Sequence, residues 1–174
     1  MNFVIAYIRR QFPNTPNIDT NTALELTKEN DNVLLLDVRR PDEFGISRIP
    51  GARNVHFRCS DEELKEALNE TDENTRIVSY CSLGYRSAIV TNRIREMSEK
   101  DSDVKVKTDN VFNLEGSIFK WANENKPLTD SANETTRYDF YVKSHKYIRI
   151  SFCNVFFYFS GLFIPSVTCL DSWD

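Results

Sequence analysis

A cysteine at the end of a β-branched run is the residue of this chain whose surroundings most clearly imply chemistry. Ile77-Val78-Ser79-Tyr80 leads into Cys81, the loop Ser82-Leu83-Gly84-Tyr85 follows, and Arg86-Ser87 opens a helix-like run ending near Met97. A strand, a short loop and a helix start in that order aim backbone N–H groups, the positive helix end and a guanidinium at one sulfur. Each favours thiolate over thiol, which makes Cys81 a candidate nucleophile. Gly84 allows the backbone to turn tightly around the sulfur. In open α/β sheets, reactive groups collect beyond the carboxyl ends of strands, where this sequence places Cys81.

The elements needed to hold such a loop are legible on both sides of it. Strand and helix signals alternate from Ile18 to Trp121, the pattern of a parallel α/β sheet. Ile18-Asp19-Thr20 reads as a short strand, with Thr20 or Asn21 capping a helix to Glu29. Val33-Leu34-Leu35-Leu36 is apolar throughout and too short for a helix, as expected of a strand buried on both faces. Pro41 suits the first turn of a short helix. Asn54 to Phe57 reads as an edge strand, and Ser60-Asp61-Glu62-Glu63 as a capping box opening a helix to Asn69. Arg76 to Tyr80 is the strand that delivers Cys81. Val111 to Leu114 is the last strand, and Gly116 to Glu124 the last helix.

The chain has 174 residues, enough for one domain with additional segments. A net charge of −4 without any Lys/Arg block argues against nucleic-acid binding. Cys59, Cys81, Cys153 and Cys169 form no C-x-x-C pair, and two histidines, His56 and His145, complete no metal-ligand spacing. No metal or other cofactor is expected. So few cysteines in a chain of this length imply a reducing compartment, and the expectation is a cytoplasmic protein. Residues 1–18 carry no acidic side chain, which leaves a mitochondrial leader as an alternative, but the charge order of a secretory signal is absent. Residues 1–16 are read as an N-terminal arm packing on a domain of residues 17–128. Beyond it lie a polar linker, 129–149, and a hydrophobic tail, 150–174. The tail contains 21 uncharged residues, Ile150 to Leu170, preceded by Lys143, Lys146 and Arg149. That length and flank suit a membrane anchor with the domain facing the cytosol. Asn154, Gly161 and Pro165 favour the other reading, an apolar tail packed on the domain.

Four segments in order resemble the single-domain rhodanese-like sulfurtransferases: Leu35 to Phe44, Arg48 to Val55, Tyr80 to Ser87 and Val111 to Trp121. The resemblance implies a three-layer α/β fold, a central five-stranded parallel sheet flanked by helices. It also implies that Cys81 carries a sulfane sulfur as a persulfide. The thiolate would take that sulfur from thiosulfate or a persulfide donor, and pass it to cyanide or to a thiol such as glutathione or thioredoxin. Loop residues Ser82, Leu83, Gly84, Tyr85, Arg86 and Ser87 would bind the anion, supported by Asp37, Arg39 and Arg48. Arg86 either meets the donor's oxyanion or pairs with a carboxylate that braces the loop, for which Asp37 is the candidate; Asp37 could instead cap the turn at Pro41. Arg39 and Arg40 read as surface charges or ion-pair partners, and Tyr85 as a rim of the pocket or an exposed aromatic. Cys59 reads as an ordinary buried cysteine or a resolving thiol. Two departures stand out: Arg48 occupies the place of the usual histidine, and Ser117 that of the second glycine in a Gly-Gly pair.

Two other functions are open to the same residues. A non-catalytic rhodanese-like module would bind partners without chemistry, but such a module has no need of a poised cysteine. A cysteine phosphatase needs five residues between Cys and Arg to surround a tetrahedral phosphate. Cys81 and Arg86 are separated by four, a cradle better suited to a sulfur atom.

Overall fold

The computed structural model describes residues 1–29 and 32–130. Five strands form one parallel sheet in the order β1-β5-β4-β2-β3: β1 (Asn17–Ile18), β2 (Val33–Asp37), β3 (Arg53–Asn54), β4 (Arg76–Tyr80) and β5 (Val111–Leu114). The helices are α1 (Asn2–Gln11), α2 (Thr20–Glu29), α3 (Pro41–Ile46), α4 (Asp61–Leu68), α5 (Tyr85–Lys100) and α6 (Ser117–Asn123). The three-layer arrangement expected from the sequence is therefore present.

Alternation along the central strands builds two cores. Leu36 and Ile77 pack with Leu64 and Leu68 of α4 and with Val90 and Ile94 of α5. Leu35, Val78 and Tyr80 pack on the other face with Ala23 of α2 and with Ile118 and Trp121 of α6. Leu36, Ile77 and Val78 are fully buried. Each such side chain contributes roughly 1.5–3 kcal/mol of apolar burial, so β2 and β4 form a rigid centre. Cys81 follows directly on β4, held between β5 and β2.

Local chemistry explains most boundaries. Ser60 accepts the Glu63 N–H at 3.1 Å while Glu63 accepts the Ser60 N–H at 2.8 Å, the reciprocal cap expected for α4. Pro41 begins α3. At α2 the cap is Asp19, not Thr20 or Asn21: its Oδ1 accepts N–H bonds from Asn21 at 2.9 Å and Thr22 at 3.1 Å. A carboxylate there also meets the positive end of the helix. The edge strand β3 stops at Asn54 rather than running to Phe57. The Asn54 side-chain amide donates to the carbonyls of Asp37 (2.8 Å) and Arg39 (3.0 Å), tying the two chains together just where β2 leaves the sheet. Helix α5 starts at Tyr85, two residues earlier than expected, because Gly84 reaches φ +113° and turns the loop straight into the helix.

The first sixteen residues contain helix α1, whose Ile8 is buried and whose Arg9 Nε donates to Glu115 at 2.7 Å. Beyond α6, Leu128 is buried, and Thr129 and Arg48 exchange backbone hydrogen bonds of 2.9 and 2.8 Å. No helix among the described residues is long and apolar enough to cross a membrane. The apolar tail lies outside the described residues.

Candidate active site

Cys81 is 2% exposed, and its sulfur faces the N-terminal turn of α5. The Gly84 N–H donates to Sγ at 3.1 Å, and the Ser87 hydroxyl lies 3.6 Å away. Burial by itself pushes a thiol upward. Here the Arg86 guanidinium and the N–H groups of Ser87 and Gly84 act the other way and prevail, so the pKa of Cys81 lies below that of an ordinary cysteine.

The remaining loop residues fall into distinct positions. Ser82 is buried, and its hydroxyl accepts from Arg86 Nη2 at 2.8 Å. Leu83 is buried and, with Gly84, lies against Ile5 and Ile8 of α1. Tyr85 points outward, its ring edge-on to Phe12 at 5.0 Å. Arg86 lies 5.8 Å above the Phe57 ring. The loop is tied to the last helix as well: Ile118 and Phe119 donate their N–H groups to the carbonyls of Cys81 and Ser82, each at 3.2 Å.

The brace for Arg86 is Glu43, not Asp37. Arg86 Nη1 and Nη2 donate to the two Glu43 carboxylate oxygens at 3.1 and 3.2 Å. A fork of this kind fixes the guanidinium in plane and orientation. Glu43 sits in the first turn of α3, where an acidic residue is already favoured by the helix dipole, so the sequence contains no separate sign of this long-range role. Burial raises a carboxyl pKa, but the hydrogen bonds and charge of Arg86 hold Glu43 below the ordinary glutamate range. The pair is thus fully present above the pKa of an unfolded glutamate and is lost as pH falls through the depressed folded value. Glu43→Gln is expected to remove that acid-side loss, so wild type and variant should converge in urea stability as pH is lowered through this window. Parallel curves at every pH would contradict the role given to the pair.

Asp37 pairs instead with Arg39. Arg39 Nε and Nη2 donate to the Asp37 carboxylate at 2.9 and 2.6 Å, and Nη2 also reaches the Ser47 carbonyl at 2.5 Å. Arg39 is 3% exposed, so it is no surface charge; Asp37, fully buried, keeps it ionised against the cost of burial. The Tyr80 ring lies 5.9 Å from the guanidinium, and its hydroxyl accepts the Ile49 N–H at 3.1 Å. This set of groups pins residues 47–49 to the ends of β2 and β4. Arg48 stacks over Phe44 of α3 at 4.8 Å. His56, beside Phe57, is held below the ordinary histidine pKa by burial and by Arg86, Arg58 and Arg40. Cys59 is half-buried against the α4–α5 core, and burial raises its pKa, the reverse of Cys81.

Two further residues touch the surroundings of Cys81: Asn113, which the sequence did not mark, and Ser117, marked there only as a departure from a Gly-Gly pair. Asn113 on β5 accepts the Ser87 hydroxyl at 2.6 Å. Ser117 accepts the Cys81 N–H at 3.1 Å through its own hydroxyl, while its backbone sits at φ +52°. That left-handed conformation accounts for the glycine usual at this place, and the serine side chain supplies a hydrogen bond that glycine lacks. Gly116, at φ +71°, has no such tolerance, since an added Cβ would lie 2.6 Å from Lys120 Cβ. Gly116→Ala is expected to cost about 1–2 kcal/mol or more, read as a lowered urea midpoint; an unchanged midpoint would contradict the crowding.

This architecture is found in known proteins. The chain is 31% identical over 86 residues to a tRNA sulfurtransferase of Thermoplasma volcanium, a match covering 49% of this chain and 17% of that protein. It is 25% identical over 111 residues to a sulfurtransferase of Allochromatium vinosum, covering 64% of this chain and 92% of the relative. The fold is similar to that of a thiosulfate sulfurtransferase from Pseudomonas aeruginosa, with a TM-score of 0.53 at 21% identity over 78% of this chain and 23% of that one. Residues 20–124, more than half of the chain and including the whole Cys81 loop, match the family model of the rhodanese-like domain, and the chain belongs to that family.

Proposed function

We propose that this protein is a sulfurtransferase that carries a sulfane sulfur on Cys81. The observation that supports it most directly is the sulfur itself, buried in a four-residue turn with the Gly84 N–H at 3.1 Å and Arg86 favouring its ionised form. The Cys81 thiolate attacks the outer sulfur of thiosulfate or a persulfide. The donor's S–S bond breaks, and sulfite or the donor thiolate leaves with the electron pair. The outer sulfur, now Cys81–S–S⁻, is held by the same fixed donors that favoured the thiolate, so no reorganisation is needed. A thiol acceptor such as glutathione or thioredoxin, or cyanide, then attacks that outer sulfur and Cys81 departs as thiolate. The two half-reactions give ping-pong kinetics.

Burial of the sulfur favours donors that present a single exposed sulfur atom over bulky tetrahedral groups. The Glu43–Arg86 pair leaves Arg86 positioned and partly neutralised, a brace for the loop more than a free anion clamp. The test is mass spectrometry of the full chain after exposure to thiosulfate or glutathione persulfide. One added sulfur on the Cys81 peptide, removable by cyanide or thiol, is expected. Absence of the adduct with every donor would leave a binding module as the better reading. The cytosolic setting and the membrane anchoring considered for residues 150–174 are separate proposals, checked by fractionating cells that express the full chain.

A further inference from the structure

Ser87 has one hydroxyl hydrogen and two acceptors within reach, Asn113 Oδ1 at 2.6 Å and Cys81 Sγ at 3.6 Å. A single hydrogen cannot satisfy both, and hydroxyl rotors settle on the shorter, better acceptor. The orientation of the Asn113 amide is set from its far side. The Thr15 carbonyl can only accept, so Asn17 turns its Nδ2 to it at 2.8 Å. That leaves Asn17 Oδ1 to accept from Asn113 Nδ2 at 2.8 Å, and Asn113 must present its own oxygen to Ser87. The direction of every hydrogen from a backbone carbonyl to the catalytic loop is thus determined.

We infer that Asn113, oriented by Asn17, holds the Ser87 hydroxyl hydrogen away from the Cys81 sulfur and is a positioning residue for the nucleophile. In the resting thiol, Ser87 turns a lone pair toward the sulfur, where an S–H can donate. For the thiolate, Ser87 must release Asn113 to donate to sulfur, and a buried amide oxygen then loses its partner. The arrangement makes the Ser87 hydroxyl a weaker donor to the thiolate than its position suggests, and leaves Arg86 and the N–H groups of Ser87 and Gly84 to carry most of the stabilisation. Asn113 is 1% exposed and Ser87 fully buried, so water does not replace either partner.

The inference deepens the persulfide proposal but is read without any sulfur transfer, from the pH dependence of iodoacetamide alkylation at Cys81, followed by peptide mass mapping of the full chain. The charged and titratable groups around the loop are Arg86 of α5, Glu43 of α3, Asp37 and Arg39 at the end of β2, Tyr80 of β4, His56 after β3, Arg9 of α1 and Glu115 after β5; none of them is altered in the variants. Asn113→Leu, of similar volume, is expected to free the Ser87 hydrogen and speed alkylation about three- to tenfold below the midpoint, the scale of one ordinary net hydrogen bond. Ser87→Ala alone is expected to slow alkylation only slightly, and in the Asn113→Leu background to erase the gain. A merely structural asparagine would loosen the loop and change alkylation alike in both backgrounds. An unchanged or slower Asn113→Leu, or a gain surviving Ser87→Ala, overturns the inference. Should Asn113→Leu lose its circular dichroism signature, Asn17→Ala at the exposed end of the relay reads the same effect. It lets the Asn113 amide turn its N–H toward Ser87, and a smaller acceleration is expected; none would overturn the inference.

Discussion

Cys81→Ser is expected to abolish persulfide formation and to reduce sulfur transfer by at least about a thousandfold, the scale on which loss of a covalent nucleophile acts. Serine preserves the size of the side chain, so the loop that Gly84, Ser117 and α6 hold around residue 81 should keep its shape. The chemistry changes because the donors around residue 81 lower the pKa of a thiol, whereas a hydroxyl starts far above it. The measurement pairs steady-state transfer from thiosulfate to cyanide with mass spectrometry of the isolated intermediate. Cys59 supplies the internal comparison: half-buried, with burial raising its pKa, it is expected to gain no sulfur in the variant. Residual transfer above about one percent of wild type, or a sulfur adduct elsewhere in the Cys81→Ser chain, would assign the chemistry to another residue.

Arg39→Ala is expected to destabilise the domain by about 3–5 kcal/mol, the cost of leaving one member of a buried ion pair unpartnered. Asp37 has no exposed surface, and in the variant it would keep the Arg39 backbone N–H, at 3.0 Å, and the neighbouring Tyr80 hydroxyl but no cation. The Ser47 carbonyl would lose its guanidinium donor as well. Urea unfolding should show a lower midpoint at unchanged slope. The double variant Asp37→Asn, Arg39→Leu should recover part of the loss, since removing both charges avoids the orphaned carboxylate. Because this pair braces residues 47–49 and not the Cys81 loop, variants that fold should retain the alkylation profile of Cys81. A loss of less than about 1 kcal/mol, or a shifted Cys81 profile, would contradict that division of roles.

The division was only half legible in the sequence. Asp37 and Arg39 stand two residues apart at a strand end, and either could have turned to the sulfur or to each other. Their mutual choice follows from β2 ending beside β4, which sets Asp37 level with Tyr80, fully buried, and leaves Arg39 as the cation that reaches it. Glu43 was invisible as the Arg86 partner for a different reason. An acidic residue in a helix's first turn already has a local explanation, and only the packing of α3 against the start of α5 gives it a second one. Asn113 was hidden within a strand signal, and Ser117 was legible only as a departure from a Gly-Gly pair, not as a contact of Cys81. Their side chains matter because β5 and α6 lie against the loop in space, which sequence separation does not express.

What the sequence by itself determined was the order of strands and helices, the two-faced apolar pattern of β2 and β4, and a cysteine delivered at a strand end into a short turn with four residues between it and Arg86. Those are local properties, set by backbone period, turn chemistry and the spacing from Cys81 to Arg86. The tertiary structure decided which charges met. It gave Arg86 to Glu43, Arg39 to Asp37 and the Ser87 hydroxyl to Asn113, because hydrogen-bond partners of a buried polar group are chosen by proximity across elements and by the cost of leaving any of them unpaired.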